Sequence, residues 1–249
     1  MRRFGAIAAL LVSVVVPEAR AGGDGLVGYW RFDEVSGAVT HDASGQGHHA
    51  RLVGSVRRVA GRVGRGVSIG GEKGSGVVVP DDDDLNPTAA ITVEAWVKPD
   101  TLKRETTFEI INKASDRGPG YRLFVSWASL HFRSGQGMGK PYWGVRASFA
   151  NTPMTWGIWQ HVAATYDGKV YRLYLDGIEV ASGGTLCRGK RDTVPLDGAA
   201  HPLTVNRNAL TIGSFSKGYA YVFKGVIDEV RIYSRAKTAA EILRAAKEF

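Results

Sequence analysis

The stretch TYDGKVYRLYLDGIEV, residues 165–180, decides the fold. Its two Asp-Gly pairs, Asp167-Gly168 and Asp176-Gly177, sit between segments that alternate apolar and polar residues. Glycine supplies the positive φ that tight hairpins require, so three antiparallel strands follow one another. In the first of them alternation puts Val162, Ala164 and Tyr166 on one face and His161, Ala163 and Thr165 on the other.

Working outward, segments of the same kind recur at 26–34, 66–71, 76–80, 91–99, 108–113, 121–127 and 130–134, and again at 143–150, 210–214 and 225–234. They are short, rich in β-branched and aromatic residues, and bounded by Gly, Pro, Asp or Asn. With so little helical periodicity, the chain reads as all-β: a two-sheet antiparallel sandwich or jelly roll. One helix is expected at the end of the chain, where Thr238 and Glu241 form a capping box ahead of Ile242, Leu243, Ala245 and Ala246. It is expected to close one edge of the sandwich. Residues 182–208 carry little pattern and read as an insertion loop.

The opening residues have the form of a signal peptide. Arg2 and Arg3 precede an apolar run from Phe4 to Val16, followed by Pro17 and Ala19-Arg20-Ala21, with cleavage expected after Ala21. The run is too short for a membrane span. An exported chain, secreted or periplasmic, is implied, with residues 22–249 as one domain. Removing residues 1–21 takes away three Arg and one Glu and lowers the formal charge from +8 to +6. The remaining Lys and Arg are scattered, without the basic block that nucleic acid would need. A single cysteine, Cys187, excludes an intramolecular disulfide, so stability must come from the core or a bound ion.

Several phrases in order, GYWRFDEVSG (28–37), HDASGQGHHA (41–50), ITVEAWVKP (91–99), WQHVAATYDG (159–168), RLYLDGIEV (172–180) and FKGVIDEVRIYSRAKTAAEI (223–242), resemble the laminin-G-like, concanavalin A-like jelly-roll domains of secreted bacterial proteins. The resemblance covers about residues 26–248. It implies a carbohydrate-binding or adhesion module, frequently calcium-stabilised, with a curved sheet or its rim open to ligands. The same fold also holds hydrolases and lyases, so activity does not follow from it.

Calcium takes hard oxygens from carboxylates and carbonyls on irregular loops. Asp42, with Ser44, Gly45 and Gly47, forms such a loop; the resemblance makes Asp228 its partner, and Asp33 or Glu34 further donors. The competing reading makes Asp42 an Asx-turn residue. His48 and His49 are adjacent, point to opposite sides of an extended segment and lack a third ligand at zinc spacing, so they read as partly exposed turn residues. Asp81 to Asp84 read as a solvated loop, with cation binding as the alternative.

The middle strands supply a ligand face. Arg122, Arg133, Trp143 and Arg146 combine guanidinium forks with an aromatic surface, which suits an acidic or sulfated glycan or surface polysaccharide. Trp127, in alternation with Tyr121, Leu123 and Val125, reads as core. No paired-carboxylate motif of a glycosidase occurs. A lyase would need a base and a neutralising cation, for which His131, His161, Tyr121 and Arg122 are the candidates. His161 also reads as a structural histidine. Three functions remain open at this point: a glycan-binding module, a polysaccharide-degrading enzyme, and a structural module that binds protein through 182–208.

Overall fold

A computed structural model describes residues 24–100, 107–114, 119–135, 142–147, 154–187, 193–195, 201, 203–215 and 220–248. The signal-like segment lies outside them, as do parts of 182–208. The strands are β1 (Leu26–Trp30), β2 (Val39–Thr40), β3 (Ala50–Val53), β4 (Val56–Ala60), β5 (Arg65–Gly70) and β6 (Gly76–Val79), then β7 (Ile91–Pro99), β8 (Thr107–Asn112), β9 (Gly120–Ser126), β10 (Ser129–Gly135), β11 (Tyr142–Arg146) and β12 (Gln160–Tyr166). They continue with β13 (Tyr171–Leu175), β14 (Ile178–Gly183), β15 (Thr185–Cys187), β16 (Thr193–Pro195), β17 (Leu210–Ile212) and β18 (Lys224–Tyr233). One helix, α1 (Ala239–Lys247), follows.

Two antiparallel sheets result, as expected from the alternating strands. One has eight strands in the order β14-β13-β12-β7-β18-β5-β4, with β1 also on β18; the other has ten, β16-β15-β11-β10-β9-β8-β17-β6-β3-β2. Val93, Val97, Val162, Ala164 and Ile232 from the first sheet meet Val77, Leu123, Leu130, Phe132 and Ile212 from the second in one core. The hairpin at Asp176-Gly177 is the two-residue turn expected, with both residues at positive φ and Leu175 opposite Ile178. The Asp167-Gly168 turn is wider: Tyr166 pairs with Tyr171, and Asp167 accepts from the Lys169 and Val170 amides.

Part of 182–208 is not loop. Thr185–Cys187 pairs with β11 and Thr193–Pro195 pairs with it in turn, so the segment extends the ten-stranded sheet at one edge. The capping box of α1 forms as read from the sequence. The helix, however, covers a face rather than an edge, since Ile242 packs with Ala163 and Tyr174 on the outer side of β12 and β13. Beside it lies a buried ionic network in which the Lys237 ammonium sits 2.9 Å from both Glu94 carboxylate oxygens.

The central strand β18 contains a bulge between Asp228 and Arg231, with Glu229 at φ 50°. Strict alternation from Ile227 would send Glu229 and Arg231 into the core. The extra residue shifts the phase, and Ile227, Val230 and Ile232 all face inward. Asp228 holds this geometry. One carboxylate oxygen accepts the Glu229 amide at 2.8 Å, and the other accepts the amides of Arg62 at 2.8 Å and Val63 at 3.0 Å in the β4–β5 turn. Burial pushes its carboxyl up to about 7, against the amides that favour the ionised form.

Asp228→Ala leaves three amides without an acceptor, and a loss of about 2–4 kcal/mol is expected in a denaturant titration. A carboxyl raised from the ordinary range to about 7 contributes stability below pH 4 that fades as pH rises through 7. Melting curves of Asp228→Asn should therefore be flatter than wild type between pH 4 and pH 7.

Candidate functional site

Across β8, β9, β10 and β11 the register lines up residues on the sheet face turned away from the core. Glu109 stands opposite Phe124, Phe124 opposite His131, and His131 opposite Arg146. One step along, Arg122 stands opposite Arg133, and Arg133 opposite Gly144. A Cβ at Gly144 would lie 2.3 Å from the Phe132 carbonyl oxygen and 3.0 Å from the Arg133 side chain, so the absence of a side chain there makes room for Arg133.

Phe124 is buried, yet it lies outside the core. Its cover is made of two guanidinium groups and an imidazole. The Arg122 guanidinium carbon is 4.0 Å and that of Arg133 5.0 Å from the ring centre, and the His131 ring stacks on it at 4.8 Å. Arg122 also lies over the rings of Phe215 and Tyr221. Like charges directly opposite each other repel; the ring faces and Glu109 offset this. Glu109 is fully buried and bonded to Arg122 through both oxygens, at 3.2 Å from Nε and in a shorter contact with Nη2. Burial pushes its carboxyl up to about 7, although Arg122 and Arg133 favour the ionised form. His131 is pushed down to about 3 by burial, and then by Arg133, Arg146 and Arg122, so its ring is neutral near pH 7.

Of the four ligand candidates, three share this face: Arg122, Arg133 and Arg146. Trp143 does not. It is an odd number of residues from Arg146 on one strand, so it points inward, packs against the core and stacks on His201 at 5.3 Å. Trp127 is also displaced from its expected place. It stands 63% exposed at the β9–β10 turn, where Trp127 and Ala128 both have positive φ and Ser126 pairs with Ser129. Strand alternation stops at Ser126, and no glycine marks the turn. Bulky residues rarely adopt this conformation.

The four lyase candidates are not brought together. Tyr121 points into the core and donates to the Leu85 carbonyl. His161 is on the other sheet, stacked edge-on with Trp96 and 4.0 Å from Glu94. Burial, with Lys237 and Arg231 nearby, pushes it down to about 3. Only His131 and Arg122 share a face.

Nor do the side chains expected around calcium converge. Asp42 accepts from the Tyr29 and Ser44 amides on one oxygen and from the Ser44 hydroxyl and His48 amide on the other. These donors fill its acceptor positions, and its carboxylate does not fit a hard cation. Ser44 spends its hydroxyl on Asp42 and the Val27 carbonyl, and Gly47, at positive φ, gives its carbonyl to the His49 amide. Asp33 and Asp228 meet a different turn: Asp33 accepts the Arg65 amide, Asp228 those of Arg62 and Val63. Among the described residues, no group of three His, Cys, Asp or Glu donors includes Asp33, Asp42 or Asp228; the one such group is His48, Asp82 and Asp84. His48 is buried, not partly exposed as the sequence suggests, because Trp30 donates to its carbonyl and Asp42 takes its amide.

Sequence and fold comparisons agree with this architecture. Eighty-seven residues are 32% identical to human Pappalysin-1 and 31% to the mouse protein; the match spans 35% of this chain and only 5% of those relatives. The binding domain of Paraclostridial Mosquitocidal Protein 1 superposes with a TM-score of 0.67 at 18% identity, over 90% of this chain and 52% of that one. Domain 4 of AbnA, a GH43 extracellular arabinanase from Geobacillus stearothermophilus solved with arabinotriose, gives 0.62 at 20%, over 90% and 98%. The binding domain of Botulinum Neurotoxin DC in complex with SialylT gives 0.66 at 12%, over 90% and 52%. Residues 70–243 match the Laminin_G_3 family model, and the chain belongs to this family of the concanavalin A-like lectin/glucanases superfamily.

Proposed function

We propose that this chain is an exported glycan-binding module whose ligand lies across the outer face of β9, β10 and β11, and that the ligand is acidic. The observation that carries this reading is the set of three guanidinium groups, Arg122, Arg133 and Arg146, on one sheet face, with Glu109 the carboxylate bonded to one of them. Guanidinium groups bind carboxylate and sulfate through paired hydrogen bonds. Trp127, exposed at the tip of the same hairpin, offers a flat surface for a sugar ring. The similar domains named for complexes with arabinotriose and SialylT support binding of saccharides on this architecture. The signal-like opening supports export.

Glycan arrays followed by calorimetry test the reading. Arg146→Ala and Arg133→Ala should each weaken an acidic oligosaccharide by roughly tenfold, about 1.4 kcal/mol, and leave a neutral one unchanged. Equal losses for both ligands, or binding unaffected in the double variant, would reject the site.

Glu109 makes the binding depend on pH. Above its raised value the carboxylate neutralises Arg122; below it the carboxyl is protonated and the guanidinium charge faces the ligand uncompensated. Affinity for an acidic glycan should therefore rise as pH falls from 8 to 6, and Glu109→Gln should remove the slope. Titration at several pH values measures this directly.

A further inference from the structure

The four consecutive carboxylates, Asp81 to Asp84, do not act as one solvated patch. Asp81 accepts from the buried Lys113 ammonium at 2.6 Å, and Asp83 from Arg207 at 2.6 Å. Asp82 and Asp84 have no Lys or Arg partner among the described residues. Asp82 instead caps a short 3-10 turn, Asp83–Leu85, accepting the Asp84 amide. Their carboxylates face a histidine from the other end of the sequence segment that precedes them, His48.

His48 is 7% exposed, and its Nε2 is buried without a hydrogen-bond partner. That atom lies 3.9 Å from an Asp84 oxygen, and one donor atom from each of His48, Asp82 and Asp84 lies within 4.8 Å of the other two. A buried imidazole nitrogen left unpaired costs stability unless something fills the gap. The backbone of His48 is fixed on both sides, its amide to Asp42 at 3.0 Å and its carbonyl to the Trp30 indole at 2.8 Å. Asp82 and Asp84 are exposed and can turn toward it.

We infer that His48, Asp82 and Asp84 bind a divalent cation of the zinc class. One imidazole nitrogen and two carboxylate oxygens match zinc, which takes nitrogen and oxygen donors in a tetrahedron at roughly 2.0–2.2 Å. Donors at that reach sit roughly 3.3–3.5 Å from one another, so small rotations of the two aspartates close the site around the fixed histidine. Calcium would need six to eight oxygens and gains nothing from the imidazole. A water molecule would complete the tetrahedron on the solvent side. The ion would tie the glycine-rich loop at 41–50 to the 3-10 turn whose Leu85 is buried in the core.

The test is calorimetry of the full chain, freed of metal with a chelator, titrated with Zn2+ and in parallel with Ca2+; Co2+ in place of Zn2+ reports coordination by its visible absorption. His41 and His49, in edge-on contact at 5.1 Å, are the rival ligands. Expected are one Zn2+ per chain, a tetrahedral-type Co2+ spectrum, and a raised melting temperature. Asp84→Asn should weaken Zn2+ by roughly tenfold or more, and Asp82→Asn with Asp84→Asn should abolish binding. His41→Gln and His49→Gln should leave it intact. Because both aspartates are exposed, the double variant keeps its near-ultraviolet circular dichroism, so the result stands even if His48→Gln misfolds. Absence of Zn2+ binding overturns the inference, as does binding that survives the double aspartate variant or is lost with His41 and His49.

Discussion

The bulge in β18 is the constraint on which the sandwich depends. β18 is the strand against which β1, β5 and β7 all pair, so its side-chain phase is transmitted to both sides of the eight-stranded sheet. One inserted residue lets the sequence IDEVRI bury Ile227, Val230 and Ile232 while Glu229 and Arg231 turn outward. Glu229 then bonds the Tyr29 hydroxyl and Arg231, and Arg231 reaches the Tyr29 hydroxyl at 2.9 Å. The charged residues that the bulge expels from the core thereby fasten β1 to β18. Asp228, through three amides, fastens the β4–β5 turn to the same point.

The two outer faces of the sandwich resolve their charges in opposite ways. On the eight-stranded sheet, Glu94 is fully buried and satisfied by Lys237, with Arg231 and His161 close by, in a region that α1 partly covers. Charges enclosed in this way hold a structure in one arrangement and leave little for a ligand. On the ten-stranded sheet, Arg122 and Arg133 share the Phe124 ring, Glu109 binds Arg122, and Arg146 is exposed. Phe124 beneath both guanidinium groups and Glu109 beside Arg122 offset the repulsion between Arg122 and Arg133.

The strands with explicit turn chemistry were legible in the sequence, and so was the capping box of α1. What escaped had physical reasons. β2, β3 and β4 are short or half exposed, with arginines at Arg51, Arg57 and Arg58 breaking the apolar pattern. The turn at Trp127 and Ala128 lacks the glycine that normally announces positive φ. Trp143 could have been separated from Arg146 by counting, since strand alternation places them on opposite faces. Glu109 and Phe124 were invisible as site residues because an acid and a phenylalanine in apolar strands read as packing. Their meaning comes from register with Arg122, Arg133 and His131, and register across strands cannot be read from one strand alone. His48 was hidden for a similar reason: its buried Nε2 faces carboxylates more than thirty residues away in sequence.

Strand order also governs when the molecule can form. The eight-stranded sheet has β18 near its middle, yet β18 is the last strand of the chain; β7 stands beside it with β5 on the other side. Before residues 224–233 pair, β7 and β5 have no common neighbour: β14-β13-β12-β7 and β5-β4 are separate, and β1 has no partner in the sheet. Closure therefore waits on contacts of long sequence separation, which fold slowly. Until β18 pairs, the inward faces of β7 and β5 cannot be held in one plane, so the eight-stranded half of the core is assembled by a single late pairing event.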